Sequence, residues 1–304
     1  MQLIRGLQNL QKLSGCALTI GNFDGVHSGH QEIIRRLTAK AKELGVPSVV
    51  ISFSVIPQTF FGRPKARLSN FRDKHILLKS LGVDKHLLIR FNKAFSETSA
   101  NSFIEEIIMN QLNARYCLIG DDFRFGKDRL GDYCLLEKYA KLGGFSADKL
   151  GDIQIKGQRV SSSAIRNYLA LGEFNKAEQL LGRPYSISGL IVHGAKQGRT
   201  IGFPTINIGI RRKLSPVLGV FAVLVDINGT THFGVCNVGK RPTVGGEKTL
   251  LEVFLFDFDR EVYGEHATVV FKNSVREEKK FDSFDKLKIQ IAEDVKSAKR
   301  FFKI

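Results

Sequence analysis

Residues 21–30, Gly21-Asn22-Phe23-Asp24-Gly25-Val26-His27-Ser28-Gly29-His30, combine types and spacing that suit chemistry on an anion. His27 and His30 stand three apart with Gly29 between them, which puts two imidazoles on one side of a first helical turn. Such imidazoles can donate hydrogen bonds to charge developing on a phosphate. The glycines let the backbone come close to that phosphate. A surface turn with idle histidines is the plain alternative. A metal site has less behind it, because no Cys or carboxylate lies at ligand spacing beside the pair.

The flanking elements favour phosphate chemistry. Residues 16–20 are a short apolar run that predicts a buried strand, and Ile33, Ile34, Leu37, Ala41 and Leu44 recur at helical spacing until Gly45 and Pro47 stop them. The stretch is therefore a strand-to-helix turn, where N–H groups and the positive end of a helix dipole collect anions. Residues 47–53 predict a second buried strand, making a βαβ unit with a parallel sheet. A third strand is expected at 87–89, a helix from 91 to 108, and a fourth strand at 116–120.

The fourth strand runs into Asp121-Asp122-Phe123-Arg124-Phe125-Gly126-Lys127 at the carboxyl edge of the sheet, where doubly wound sheets bind ligands. Its aromatics suit a flat ring system and Arg124 suits phosphate. Further on, Ser161, Ser162 and Ser163 precede a helical pattern that contains Arg166. They read either as a helix N-cap or as an anion clamp.

After Gly182 the pattern changes to period two, the mark of half-exposed antiparallel strands, so residues 1–182 and 183–304 are expected to form two domains. The stretch from His193 and Gly194 through Gly198, Arg199 and Gly202 is rich in glycine and base. It leads into Phe203-Pro204-Thr205-Ile206-Asn207, where Thr205 and Asn207 share one face of a strand and offer two oxygens, a set that suits Mg²⁺ beside phosphate. Alternating segments at 219–226, 232–238, 250–256, 261–263 and 267–271 predict a small closed barrel, followed by a helix over 284–301. Within the barrel, Glu252 lies between Leu251 and Val253 in an apolar strand. That carboxylate is either an outward, hydrated residue or a functional one.

Length and composition set the frame. A chain of 304 residues with 43% hydrophobic content has room for two cores. Four cysteines without CxxC pairing fit a reducing cytosol, residues 1–12 lack a signal-peptide core, and no run reaches the roughly 20 apolar residues of a membrane helix. The net charge of +16 comes from 26 basic against 17 acidic residues before residue 183 and 20 against 13 from there on. An excess spread this evenly suits polyanionic small substrates, and no nucleic-acid-binding motif accompanies it. No membrane or nucleic-acid partner is expected, and a homo-oligomer stays open.

Five stretches resemble, in order, the motifs of the bacterial bifunctional riboflavin kinase/FAD synthetases, a branch of the HxGH nucleotidylyltransferases, and a sixth follows the family's last helix. Residues 21–30 resemble Gly-X-Phe-Asp-Gly-X-His-X-Gly-His, and residues 120–126 resemble Gly-Glu-Asp-Phe-Arg-Phe-Gly with Asp121 for Glu. Residues 160–166 are similar to Ile-Ser-Ser-Thr-X-Ile-Arg with Ser163 for Thr. Residues 189–207 resemble the flavokinase glycine-rich block, residues 234–243 resemble Gly-Val-X-Asn-Ile-Gly-X-Arg-Pro-Thr, and residues 276–294 follow the family's last helix.

The resemblance implies a Rossmann-like α/β domain followed by an antiparallel β-barrel with a C-terminal helix. It implies phosphorylation of riboflavin by ATP to FMN, then transfer of AMP from ATP to FMN, giving FAD and pyrophosphate, with Mg²⁺ in both steps. On this reading His27, His30 and Arg166 meet charge in adenylyl transfer, and Glu252 is the base that takes the ribityl 5′-hydroxyl proton. Gly21, Phe23, Asp24, Gly29, Asp122, Phe123, Arg124, Ser161, Ser162 and Ser163 bind nucleotide and flavin in the first domain. His193, Gly194, Gly198, Arg199, Gly202, Pro204, Asn237 and Arg241 do so in the second, with Thr205 and Asn207 as metal ligands. Ser54-Val55-Ile56 departs from the family's Phe-Glu-Pro-His-Pro stretch, which supplies a second reading in which only the kinase is active.

Overall fold

The computed structural model describes residues 1–194, 202–210, 214–243 and 246–304, with the backbone alone at 240–243 and 246–248. Two compact units emerge: Met1–Lys65 with Phe71–Ser161, and Ala66–Asn70 with Ser162–Ile304.

The first unit is built on six strands, β1 (Gln2–Arg5), β2 (Cys16–Ile20), β3 (Ser48–Phe53), β4 (Lys85–Ile89), β5 (Ala114–Gly120) and β6 (Ser146–Leu150), in the order β1-β4-β3-β2-β5-β6. Every neighbouring pair is parallel. Alternate residues of β2 feed opposite faces. Cys16, Leu18 and Ile20 pack with Val49, Ile51, Ile104 and Leu136, while Ala17 packs with Phe23, Ile34, Leu37 and Leu78. Helices α1 (Ser28–Glu43) and α2 (Phe71–Ser80) cover the second face, and α3 (Tyr133–Gly143) contributes to the first. Burial on both faces explains why these strands read as continuous apolar runs. Strand order reverses between β2 and β5, and the carboxyl ends of those two strands carry residues 21–30 and 121–127.

The helix expected from 91 to 108 is broken into turns at Lys93–Ser96 and Ala100–Ser102 before a wide-turn helix at Phe103–Gln111. The cause is local. Asn92 accepts from the Phe95 N–H and Ser99 from the Ser102 N–H, so each side chain starts a new turn. Edge strands β1 and β6, and the hairpin β7 (Gln154–Ile155) and β8 (Gln158–Arg159), lay outside the expected elements.

The second unit is a closed antiparallel barrel. Its strands are β9 (Ser186–Val192), β10 (Thr205–Ile208), β11 (Gly219–Ile227), β12 (Thr230–Thr243), β13 (Gly246–Leu255) and β14 (His266–Arg276), in the order β10-β13-β12-β11-β14-β9. Helices α4 (Ser162–Ala170) and α5 (Phe174–Leu181) precede Gly182 yet belong to this unit, with the Phe174 ring against Phe221 and Phe271. Helix α6 (Phe284–Phe302) is capped by Ser283 and buries Ala298 against Val220, Val235 and Phe256. The strand expected at 261–263 is instead a turn. Glu265 N–H donates to the Val262 carbonyl and Gly264 takes φ +82° ahead of β14.

Candidate active sites

In the first unit, residues 21–30 are a strained turn that ends as a helix cap. Phe23 and Val26 adopt φ +47° and +41° and Gly25 +80°. Bulky L residues leave that region unless their surroundings hold them. Here both side chains are buried, at 1% and 0% exposure, inside the cluster that α1 covers. His27 then caps α1, its Nδ1 accepting from the His30 N–H at 3.4 Å. An accepting Nδ1 leaves Nε2 to carry the proton of a neutral ring, the form that donates to an anion. The His27 and His30 rings stack with centroids 3.6 Å apart, and Phe23 stands 5.1 Å from His30. Glycine at 29 belongs to this packing, because a Cβ there would lie 3.4 Å from the His27 ring. At Gly21 a Cβ would come within 3.2 Å of Phe23. Asp24 is buried within the same turn.

Beside it, the loop after β5 spends its charges on neighbours. Asp121 pairs with Lys149 at 3.1 Å, and Asp122 with Arg159 at 3.2 Å, which also reaches Asp152 at 2.8 Å. Arg124 turns back on its own loop, donating to the Phe123 carbonyl at 3.0 Å. Phe125 is buried against Phe103, while Phe123 stacks on it and stays half-open. The acidic, basic and aromatic residues of the motif thus occupy one carboxyl edge with the histidine turn. Lys149 and Arg159 escaped sequence reasoning because their partners Asp121 and Asp122 lie about 30 residues or more away in the chain, and Asp152 joins them only through Arg159.

A second group was missed as well. Phe53, Phe60, Phe61, Phe91 and Phe95 contact one another at 5.2–6.0 Å, chiefly edge to face, just beyond the carboxyl ends of β3 and β4. Phe61 is 62% exposed. Three separate segments supply them, so no local motif announced the cluster. The departing residues Ser54-Val55-Ile56 lead into it, with Ser54 N–H on the Ile89 carbonyl and Ile56 buried before the turn Pro57–Phe60.

Ser161 closes the first unit, whereas Ser162, Ser163 and Arg166 open α4 in the second. Arg166 Nε donates to the Ala66 carbonyl at 2.6 Å.

In the barrel, strand register builds one row. Glu252 of β13 stands opposite Asn207 of β10 on one side and Asn237 of β12 on the other. Directly paired residues point to the same face with Cα atoms about 5 Å apart. Leu251 and Val253 point the other way into full burial, while Glu252 is half-buried. Thr205 joins this face two residues from Asn207, opposite Phe254, whose ring meets Phe203 at 5.3 Å. Gly194 lies over the row, since a Cβ on it would run into the Asn207 amide. The His193 ring lies tilted against Tyr263 at 3.9 Å, Pro204 immediately precedes β10, and Gly202 takes φ +86°. Glu278 was missed by sequence reasoning: its carboxylate covers Gly239, where a Cβ would sit 2.5 Å from Oε1 and 3.4 Å from the Asn237 amide. Gly198 and Arg199 lie outside the described residues. The backbone of Arg241 pairs with Lys248, and its side chain is likewise outside the description.

The donor chemistry at Thr205 and Asn207 fits Mg²⁺. A hydroxyl and an amide oxygen share a strand face, and Gly194 keeps side-chain bulk off the amide. Among the described residues no group of three His, Cys, Asp or Glu is placed to hold a metal by itself. Few protein ligands plus substrate phosphates is the coordination Mg²⁺ prefers.

Comparison with known proteins gives two adjoining matches. Residues 9–164 match the model of a family described as FAD synthetase, and residues 181–302 match that of riboflavin kinase. A bifunctional riboflavin kinase/FMN adenylyltransferase from Haemophilus influenzae is 47% identical over 306 residues, covering 99% of both chains. One from Escherichia coli K12 is 43% identical over 307 residues, covering 99% of this chain and 98% of its own. A solved structure described as a macrolide-efflux protein from Streptococcus pneumoniae matches at TM-score 0.80 and 30% identity over 97% of each chain. No helix among the described residues is long and apolar enough to cross a membrane.

Proposed function

The chain belongs to the family of bifunctional riboflavin kinase/FMN adenylyltransferases, and from that premise we propose how its residues divide the two reactions. With the boundary taken at Gly182, residues 183–304 phosphorylate riboflavin and residues 1–182 adenylylate the FMN that results.

In the kinase step Glu252 accepts the proton of the ribityl 5′-hydroxyl as that oxygen attacks the γ-phosphorus of ATP. The new P–O bond forms, the bond to the β,γ-bridging oxygen breaks, and ADP leaves. The row Asn207–Glu252–Asn237 supports this role, because a half-buried carboxylate flanked by two amides is held in place by strand register. Thr205 and Asn207 would hold Mg²⁺ here, and the ion, when bound, neutralises phosphate charge. Asn237, His193, Gly194, Gly198, Arg199, Gly202, Pro204 and Arg241 orient the substrates around that row.

In the adenylyl step a phosphate oxygen of FMN attacks the α-phosphorus of ATP and pyrophosphate departs. No covalent nucleophile is required of the protein, so positioning and charge neutralisation carry the catalysis. His27 and His30 donate to the α-phosphate oxygens as charge builds on them. Ser161, which closes the first unit, meets the leaving phosphates. Phe123, Arg124 and the aromatic cluster of Phe53, Phe60, Phe61 and Phe91 take the flat ring and phosphate of the flavin. Substrates of this kind, together with buried free thiols at Cys16, Cys117 and Cys236, fit a cytoplasmic enzyme.

The observation that carries this reading is that the histidine turn and the glutamate row lie in separate compact units. Chromatography of purified protein with riboflavin, ATP and Mg²⁺ should show FMN first and FAD second. His30→Ala should lower FAD formation by at least ~100-fold and spare FMN formation. Glu252→Ala should lower FMN formation by ~100-fold or more and spare FAD formation from supplied FMN. Loss of both activities by either change in folded protein would refute the division.

A further inference from the structure

Helix α2 carries a charged side chain that neither reaction has used. Lys74 is 9% exposed, and its Nζ donates to the Asn22 carbonyl at 2.8 Å. An ammonium drawn out of water is costly unless its protons are matched by acceptors, so this buried lysine is tied to what it holds. What it holds is the first peptide of the turn that ends in His27 and His30.

A trans peptide is planar, so anchoring the Asn22 carbonyl fixes the plane that leads into Phe23 and turns the Phe23 N–H the opposite way. Phe23 and Val26 follow at positive φ, a conformation their own side chains disfavour. The contacts that over-determine it include burial of the two side chains, Gln31 Nε2 donating to the Val26 carbonyl at 2.9 Å, and Lys74 on the Asn22 carbonyl. The first two act at the middle and end of the turn, and Lys74 acts at its start. If the start relaxed, the helix cap and the stacked imidazoles would move with it.

We propose that Lys74 is a positioning residue for adenylyl transfer, its ammonium holding the strained turn that sets His27 and His30 against the reacting phosphate. The inference rests on the reading of this turn as the adenylyl-transfer site. Lys74 touches neither substrate on this account and acts through the backbone of Asn22.

The test compares three variants of the full chain, with hydrogen-exchange protection of peptides from β2 and β3 in the same sample reporting that the first unit is folded. Lys74→Met keeps the length and loses the ammonium, and Lys74→Arg keeps a cationic donor. Leu78→Ala, one turn along α2 at 0% exposure, loosens the helix and the core cluster it shares with Phe23 and Val26 while keeping the Lys74 ammonium on the Asn22 carbonyl. Lys74→Met should lower kcat for FAD formation by about 100-fold, the scale of a misplacement near 1 Å, with KM for ATP and FMN within about twofold. Lys74→Arg should recover about 10-fold of that loss. Leu78→Ala should lower the melting temperature yet keep kcat within about threefold at a temperature where it is folded. An unchanged kcat in Lys74→Met would overturn the proposal, as would a rise in KM alone or a loss no larger than that of an equally destabilised Leu78→Ala. Wild-type protein that forms no FAD would sink the reading of the turn and the inference with it.

Discussion

Acid should weaken the first unit through one buried histidine, His86 on β4. It has 0% exposure and sits between two partners: Ser52 Oγ at 2.7 Å from Nε2, and His75 Nδ1 at 3.1 Å from its own Nδ1. Two ring nitrogens that close share a single proton, so the two rings cannot both be charged while the contact lasts. Burial, then the charges of Lys74 and His75, hold the His86 pKa down at about 3. His75 is lowered too, first by burial, then by the N-terminal ammonium, Lys79 and Arg5. The unfolded chain takes up this proton near pH ~6.5, whereas the folded chain resists until near pH 3. Stability from neutral His86 is therefore present above pH ~6.5 and is lost as pH falls toward 3. Linkage gives a loss of about 2 kcal/mol between pH 7 and pH 5, rising to ~4 kcal/mol near pH 3. Hydrogen exchange of peptides covering β3 and β4, corrected for intrinsic rates, measures the opening free energy at each pH. Wild type should lose about 2 kcal/mol of opening free energy from pH 7 to 5, and His86→Leu should lose much less. An opening free energy that stays flat in wild type, or the same slope in the leucine variant, would refute the reasoning.

Two more changes probe the barrel. Gly194→Ala places a methyl against the Asn207 amide, so FMN formation should fall by ~10-fold or more while FAD formation from supplied FMN holds; equal loss of both would count against the assigned row. Asp294→Asn breaks the grip of Arg276, whose Nε and Nη2 donate to the carboxylate at 2.8–3.1 Å with side chains only 15% and 5% exposed. Leaving Arg276 buried without its partner should cost the barrel about 3–5 kcal/mol in denaturant unfolding, and a cost under ~1 kcal/mol would show that the pair does not hold α6 to β14.

The sequence showed the strand-turn-helix at residues 16–43 because a buried parallel strand is an unbroken apolar run and α1 carries an apolar stripe at helical spacing. The barrel was legible from its period-two segments and the Asn228-Gly229 turn. Edge strands β1 and β6 were not. In Gln2–Arg5 and Ser146–Leu150 polar and charged residues break the apolar run, as one exposed side of a sheet edge allows. The turn at 261–263 mimicked a strand because Val262 is buried and Tyr263 faces His193, giving alternation without pairing. Lys74 left no local signal. A lysine on a helix ordinarily lies in water, and only the return of α2 over the β2 turn brings Asn22 to it.

The two sites differ in what makes them legible, and the difference is physical. The first is a backbone site: its chemistry depends on a turn held at positive φ, so glycines and a fixed His-X-Gly-His spacing must be contiguous, and a motif marks it. What stabilises that turn is remote, since a strained backbone persists only when surrounding structure over-determines it, and here that support includes a lysine 52 residues away. The second is a register site. Asn207, Glu252 and Asn237 lie in three strands and become neighbours only through pairing, so Glu252 and Asn207 stand out in their own segments while the row they form does not. Its support is the ladder of hydrogen bonds itself, and a one-residue slip of β13 would turn Glu252 to the opposite face of the barrel. A contiguous motif with distant support therefore marks the adenylyl-transfer turn, while dispersed residues with local support mark the kinase row.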